Sequence, residues 1–176
     1  MTVPGPSAPT YRICVVCTGN ICRSPVAEVV MRRLIADAGL SHVVQVDSAG
    51  VEAWHVGTGA DRRSLASLVE GGYAGGPAHR ARCFEPGWLQ DRDLVVAMDG
   101  GHVRELRAHA PDAAGRERVQ LLRSFDDTAL PGADVADPYY GGDDGFAEVL
   151  QQVERGCRGL LAAVVEQLPR DVVAGR

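Results

Sequence analysis

The sequence predicts an open α/β sheet in which parallel strands are covered by helices. Two observations indicate this fold class. Short runs rich in β-branched residues alternate along the chain with segments of helical spacing, which is the order typical of α/β proteins. The run at 94–98 is apolar throughout, as a central parallel strand buried on both faces should be. With 176 residues, 45% of them hydrophobic, the chain is long enough for one domain with its own core.

Each strand and helix is predicted from its local pattern. Strands are expected in four β-rich runs, at 11–16, 43–47, 94–98 and 119–122. The first helix is expected to begin at Pro25, a residue favoured in the first helical turn, and to stop at Gly39, a residue favoured just beyond a helix. Two further helices are expected near 61–71 and 101–109.

The last helix has the clearest periodicity. Apolar residues recur at helical spacing along its whole length: Phe146, Val149, Leu150, Val153, Cys157, Leu160, Leu161, Val164 and Leu168. Cys157 lies on this apolar stripe, which predicts a buried and unreactive thiol. Residues 1–10, with three prolines and no charged side chain, are expected to be a flexible tail. A single domain is expected over 11–168 and a C-terminal tail over 169–176.

Charge and composition argue against several classes of function. The formal net charge is −5 at pH 7 and no dense Lys/Arg run is present, which argues against a nucleic-acid or anionic-membrane surface. No stretch approaches the ~20 apolar residues of a membrane span, and the start lacks the pattern of a secretory signal. We therefore expect a cytoplasmic protein. The number of cysteines is five, which is odd, and a chain of this size does not need disulfide bonds for stability. Structural disulfides are therefore not expected.

The most informative segment is VVCTGNICRSPVAE at 15–28, between the first strand and the first helix. In an open α/β sheet, ligands bind beyond the carboxyl ends of the strands, which is where this loop is expected. Its amides and the start of the following helix can converge on one anion, and Gly19 permits a close approach. Arg23 can clamp two oxygens of a tetrahedral oxyanion, and the same surroundings favour ionisation of Cys17. The pattern therefore predicts a loop that binds a phosphate and supplies the sulfur that attacks it.

The part VCTGNICRSPVAE resembles the signature loop of the low-molecular-weight protein-tyrosine phosphatases, in which Cys, five residues, Arg and Ser follow in this order. The resemblance covers about 11–168 and implies a three-layer fold, with four parallel strands and helices on both faces. It implies that Cys17 forms a phosphocysteine intermediate and that Arg23 binds the phosphate. Six further residues are expected in the phosphate-binding loop: Thr18, Gly19, Asn20, Ile21, Cys22 and Ser24.

An acid is needed to protonate the oxygen that leaves phosphorus, a contribution typically worth ~10²–10⁴-fold in rate. Asp137, in ADPYYGGDDGF at 136–146, resembles the aspartic acid of the family's Asp-Pro motif. The resemblance implies that it acts as general acid and then as general base. Asp-Pro is also a common start of a turn. Asp143 and Asp144 are the local competitors, and we expect both to be solvated carboxylates at a helix start.

Aromatic residues make up 5% of the chain, yet Trp54, Tyr139 and Tyr140 all occur in glycine-containing loops. The resemblance places them at the mouth of a deep slot, where rings can sandwich a phenyl group, so phosphotyrosine in proteins is the expected substrate. Inorganic phosphate is expected to compete for the same loop. The resemblance also implies a polar network that holds the loop rigid, formed by Asn20, Ser24, Ser48 and His79. Asp99 is expected to be structural.

The other cysteines admit several interpretations. Cys14 and Cys17 form a CxxC pair, but no second pair follows to complete a zinc site of about four ligands. We therefore expect Cys14 to be a core thiol, and expect neither a metal nor a cofactor. The resemblance implies that Cys22 forms a reversible disulfide with Cys17. An arsenate reductase on the same fold is an alternative function, although it would need further cysteines and only Cys83 is available. The second alternative function is a pseudophosphatase, which binds phosphotyrosine without turnover.

Overall fold

The computed structural model describes residues 10–76 and 78–173, which form one parallel sheet between helices. The predicted N-terminal tail, 1–10, lies outside the described residues apart from Thr10. The four strands are β1 (Tyr11–Cys17), β2 (Val44–Gly50), β3 (Leu94–Ala97) and β4 (Val119–Leu121). They pair in the order β2-β1-β3-β4, and each neighbouring pair is parallel. The predicted sheet of four parallel strands is confirmed.

Seven α-helices cover the sheet in the part of the chain that is described. They are α1 (Arg23–Asp37), α2 (Arg62–Glu70), α3 (Trp88–Asp91), α4 (Gly100–Ala108), α5 (Ala113–Glu117), α6 (Asp143–Gln167) and α7 (Arg170–Val173). A 3-10 helix, Leu122–Phe125, follows β4. The sequence pattern does not predict α3 and α5, because helices of four and five residues are too short to show a period. Helix α7 lies in the segment 169–176, which was expected to be a tail, and Pro169 suits the start of its first turn.

Two elements extend by two or more residues beyond their predicted ends. Strand β2 continues past 47 because residues 48–50 pair in register with residues 15–17 of β1. Helix α1 begins at Arg23 rather than at Pro25. The added residues are small or polar, so hydrophobic periodicity gives no sign of them. As a result, the loop between β1 and α1 is anchored at both ends by regular structure.

The sheet separates two hydrophobic cores, which together with the sheet give the predicted three layers. Val15 and Cys17 of β1 contribute to the core formed with α1 and α6, whereas Cys14 and Val16 contribute to the core formed with α3 and α4. Cys14 and Cys157 are fully buried, and burial raises the pKa of both thiols, so the prediction of two core cysteines is confirmed. Among the described helices, none is long and apolar enough to cross a membrane.

Candidate active site

The loop between β1 and α1, residues 18–22, is held by its carbonyl groups. Three backbone N–H groups from other segments bind carbonyls at this end of β1: Val51 donates to Cys17 at 2.9 Å, Glu52 to Thr18 at 2.9 Å and Asp61 to Ile21 at 2.8 Å. By contrast, the loop amides donate to no group in the described chain. They lie beside the N-terminus of α1, whose own first amides lack helical partners. The loop therefore offers a group of unpaired donors to an anion.

Two backbone features shape this loop. Asn20 has a φ of 56°, in the left-handed region that residues other than glycine rarely adopt. Gly50, the last residue of β2, packs directly on the loop backbone. A Cβ atom at Gly50 would lie 2.6 Å from the Thr18 carbonyl oxygen and 2.9 Å from the Gly19 carbonyl carbon. Gly50 could not be singled out from the sequence, because its close contacts lie across the fold.

A polar network holds Asn20 in this conformation. Its Nδ2 atom donates to the hydroxyl oxygens of Ser24 and Ser48, each at 2.9 Å. The Nε2 atom of His79 lies 2.7 Å from the Asn20 carbonyl oxygen. The structure thus brings together the four residues expected in the network. In addition, the backbone N–H of Arg82 donates to Asn20 Oδ1 at 3.0 Å, a contact that no local pattern in the sequence predicts.

Cys17 lies at the base of the loop and is 3% exposed. Its Sγ atom is 3.0 Å from the Oγ atom of Ser24, whose hydroxyl can donate to a thiolate and stabilise its charge. Cys22 lines the same cavity, but burial, followed by the charges of Asp61 and Cys17, raises the pKa of Cys22 to about 12. Cys22 therefore stays protonated at neutral pH, and Cys17 is the thiol that is placed for nucleophilic attack. Both thiols are free, and a disulfide between them stays a prediction.

The guanidinium of Arg23 is buried and is held on two sides. Its Nη1 atom donates to Asp99 Oδ2 at 2.9 Å and to the Val135 carbonyl oxygen at 3.2 Å. Its Nη2 atom donates to Asp137 Oδ2 at 3.0 Å and to Thr18 Oγ1 at 3.3 Å. Burial alone would raise the pKa of Asp99, but a backbone hydrogen bond and nearby charges, including that of Arg23, outweigh it and lower this pKa. Asp99, expected to be structural, is thus the ionised group that orients Arg23.

A cavity of about 320 Å³ opens at this loop. Its lining includes all three aromatic residues predicted for the cleft, and comprises Cys17, Thr18, Gly19, Ile21, Cys22, Arg23, Trp54, His55, Asp137, Tyr139 and Tyr140. Trp54 and Tyr140 are 72% and 95% exposed, and the Tyr139 and Tyr140 rings meet edge-on with centroids 4.9 Å apart. A larger cavity of about 610 Å³ lies beside β2, but none of the predicted site residues lines it.

Asp137 stands at the rim of the smaller cavity, with 53% of its side chain exposed. Its Oδ1 atom accepts the backbone N–H of Tyr139 at 3.1 Å, a turn that fixes the carboxylate beside Arg23. Asp143 and Asp144 lie in the first turn of α6, as expected, and do not line this cavity. Asp137 is therefore the carboxylate placed to exchange a proton with a group bound at the loop.

Two histidines near the loop were not predicted from the sequence. His55 lines the cavity, with its ring centroid 6.5 Å from that of Tyr139, but only Ser48 and Trp54 were singled out in its segment. His102, in the first turn of α4, has its Nε2 atom 2.9 Å from Thr18 Oγ1, a contact across the fold that no local pattern shows. Cys83, on which the arsenate reductase alternative depends, does not line the cavity.

The comparisons with known proteins agree with this geometry. The sequence profile described as low molecular weight phosphotyrosine protein phosphatase matches residues 12–172. A low molecular weight protein-tyrosine-phosphatase of Streptomyces coelicolor is 55% identical over 160 residues, covering 90% of this chain and 96% of the relative. Among solved structures, YfkJ from Bacillus subtilis has a TM-score of 0.84 at 32% identity, covering 92% of this chain and 99% of that chain. Vibrio vulnificus Wzb in complex with benzylphosphonate has a TM-score of 0.72 at 26% identity, with coverages of 90% and 99%. The chain therefore belongs to the low molecular weight protein-tyrosine phosphatase family and is a hydrolase.

Proposed function

We propose that the chain hydrolyses phosphotyrosine in proteins, and small aryl phosphates, through a phosphocysteine intermediate on Cys17. The observation that carries the proposal is that unpaired amides, the Arg23 guanidinium and the Cys17 sulfur meet at one cavity. The amides and the guanidinium attract an oxyanion to the cavity that the Cys17 sulfur also lines. Inorganic phosphate is the product and the expected competitive ligand.

The first chemical step is attack of the Cys17 thiolate on phosphorus. A bond between sulfur and phosphorus forms, the bond from phosphorus to the tyrosine oxygen breaks, and Asp137 gives its proton to that oxygen. Arg23 Nη2 contacts Asp137 Oδ2 at 3.0 Å. A phosphate oxygen that takes over this donor releases the Asp137 carboxyl group for proton transfer. Substrate binding and the readiness of the acid are therefore coupled through Arg23.

The second step hydrolyses the phosphocysteine. Asp137, ionised by the first step, accepts a proton from a water molecule that attacks phosphorus. The bond from phosphorus to sulfur then breaks, inorganic phosphate leaves and Cys17 returns to the thiolate. The Ser24 hydroxyl, 3.0 Å from the sulfur, donates to the departing thiolate and makes it a better leaving group.

The shape and the rim of the cavity favour an aryl phosphate ester. Trp54, Tyr139 and Tyr140 line the cavity, where contact with their rings gives a phenyl group additional buried area. A phosphoserine side chain is shorter and would leave this rim unused. One solved relative is a complex with benzylphosphonate, which also joins a phenyl ring to a tetrahedral oxyanion. This comparison supports an aryl group in the cleft.

A cytoplasmic, reducing environment is part of the same proposal. All five cysteines are free thiols, and three of them, Cys14, Cys17 and Cys22, lie within the same strand and loop. A reducing compartment keeps such thiols free and keeps Cys17 reactive. Phosphotyrosine-containing proteins of that compartment are therefore the proposed substrates.

The substitution Cys17→Ser tests the proposal, with Cys83→Ser as its matched control. Turnover is measured as p-nitrophenol released from p-nitrophenyl phosphate, in the presence of a chelator. Cys17→Ser should lose turnover but still bind inorganic phosphate in a calorimetric titration, because the amides and Arg23 remain. Cys83→Ser should keep wild-type turnover. Appreciable turnover by Cys17→Ser would show that another residue is the nucleophile, and no turnover by the wild type would favour a pseudophosphatase.

A further inference from the structure

A buried histidine stands behind the phosphate-binding loop and makes direct contact with it. His102 is 5% exposed and projects from the first turn of α4, where Asp99 caps the helix. Its Nε2 atom lies 2.9 Å from Thr18 Oγ1. The same Thr18 oxygen accepts from Arg23 Nη2 at 3.3 Å. One threonine hydroxyl therefore joins the histidine to the guanidinium that faces the cavity.

The position of the ring proton follows from the charge beside Nδ1. His102 Nδ1 lies 3.2 Å from Asp99 Oδ1, outside hydrogen-bonding geometry, and is otherwise buried without a partner in the described chain. A carboxylate oxygen at this distance repels the lone pair of a bare Nδ1 and attracts the hydrogen of an Nδ1–H group, even without a hydrogen bond between them. Electrostatics therefore favours the tautomer that carries its proton on Nδ1. Its Nε2 atom is then an acceptor, and the Thr18 hydroxyl donates to it.

Burial keeps the His102 ring neutral at neutral pH. Burial is the largest influence and lowers the pKa of His102, and the nearby Arg23 cation also lowers it. Asp99, Asp137 and Asp134 act in the opposite direction but do not overcome burial. A neutral ring can accept a hydrogen bond, so the direction of the Thr18 contact is preserved under ordinary assay conditions.

We propose that His102 is a positioning residue for Arg23, which it orients through the hydroxyl of Thr18. The Thr18 hydroxyl donates its hydrogen to His102 Nε2, which leaves a lone pair of Thr18 Oγ1 directed at Arg23 Nη2. The hydrogen bond from Nη2 to this oxygen then fixes the plane of the guanidinium. Asp99 holds the other end of that plane through Nη1, at 2.9 Å. When a phosphate displaces Asp137 from Nη2, the Thr18 contact remains to keep Arg23 aimed at the anion. The inference rests on the proposed role of Arg23 in binding the phosphate.

The ring proton can be located by nitrogen NMR on the unmodified protein at pH 7.5, with His102 assigned by its loss in His102→Gln. We expect the His102 signals to report Nδ1–H and a bare Nε2. His109, exposed at the end of the same helix, is the internal reference and should show the Nε2–H form common in solvent. A His102 ring that carries its proton on Nε2 would overturn the proposal, because Thr18 could not then donate to it.

Kinetics with aryl phosphate provide the second test. His102→Ala should lower kcat/KM by about three- to tenfold, the effect of one hydrogen bond, and Thr18→Val should do the same. Since both break one chain of contacts, the double variant should lose no more than either single variant. His102→Gln, whose side-chain oxygen can accept from Thr18, should recover most of the activity. The control His109→Gln should match the wild type.

The kinetic outcomes separate this inference from the proposed function. If the two single losses multiply in the double variant, or if a folded His102→Gln is as impaired as His102→Ala, His102 does not act through Thr18. Thermal unfolding of each variant identifies any loss of activity that comes from misfolding. The NMR measurement locates the ring proton in the unmodified protein and does not depend on enzyme activity. The proposed nucleophile is judged separately by Cys17→Ser, so it can stand while this inference fails.

Discussion

The substitution Gly50→Ala should displace the phosphate-binding loop while leaving the rest of the fold in place. The added Cβ would lie 2.6 Å from the Thr18 carbonyl oxygen, 2.9 Å from the Gly19 carbonyl carbon and 3.0 Å from the Asn20 nitrogen. These atoms belong to the backbone, so no side chain can rotate away. Ordinary contact begins at 3.4 Å, and the loop or the end of β2 must therefore move by about 0.8 Å, the difference from 2.6 Å.

A shift of this size acts on the atoms that surround the phosphate. Misplacement of a reacting group by about 1 Å can lower a rate by on the order of 10²-fold, so we expect Gly50→Ala to reduce kcat/KM by about 10- to 100-fold. Overpacking of this kind typically also costs about 1–3 kcal/mol of stability. The affinity for inorganic phosphate should fall with activity, because the displaced loop provides the donors.

The assay measures kcat/KM for p-nitrophenyl phosphate, the inhibition constant of inorganic phosphate and the thermal unfolding midpoint. Gly87→Ala is the matched control, because nothing lies within 4 Å of a Cβ at Gly87, whose φ of −61° suits alanine. The control should match the wild type in all three quantities. Wild-type activity and phosphate affinity in a folded Gly50→Ala would refute the reasoning, since they would show that the loop does not need this close packing.

Two further substitutions probe the acid and the second thiol of the cavity. Asp137→Asn should lower the rate by roughly 10²–10⁴-fold for poor leaving groups and by less for good ones, because only a poor leaving group needs the proton. Equal losses in a series of aryl phosphates would point to another acid. Cys22→Ser should retain turnover but lose the ability to recover activity with a thiol after peroxide treatment, since no disulfide can then protect Cys17. Equal recovery by the wild type and Cys22→Ser would argue against the predicted disulfide.

Much of the fold could be predicted because its signals are local. Strands β1 and β3 contain unbroken apolar runs, and the long apolar stripe of α6 predicts a helix. The predicted ends of elements are wrong where polar or small residues extend a strand or helix, because such residues add nothing to the hydrophobic periodicity. The end of β2 and the first turn of α1 are the clearest cases, since Ser48 and Ser24 bind Asn20 of the loop and Gly50 packs on its backbone.

The candidate site likewise contains residues that the sequence predicts and residues that it does not. Cys17 and Arg23 are close in the sequence, and together with Gly19, the strand before them and the helix after them they indicate an anion-binding loop with a nucleophile. Asp137 is distant in the sequence and was found only through the resemblance of its segment to a known motif. Gly50 and His102 could not be predicted, because their importance depends on which atoms they meet across the fold. Contacts of this kind have no periodicity or spacing that a single sequence can show.

The central claim is that Cys17 carries the phosphoryl group during turnover. The most direct test mixes Asp137→Asn, in which the second step is slow, with an aryl phosphate, stops the reaction within one turnover and maps the modified peptide by mass spectrometry. We predict one phosphoryl group, bound to the sulfur of Cys17. A phosphoryl group on any other residue, or product release with no modified peptide at any time, would contradict the account.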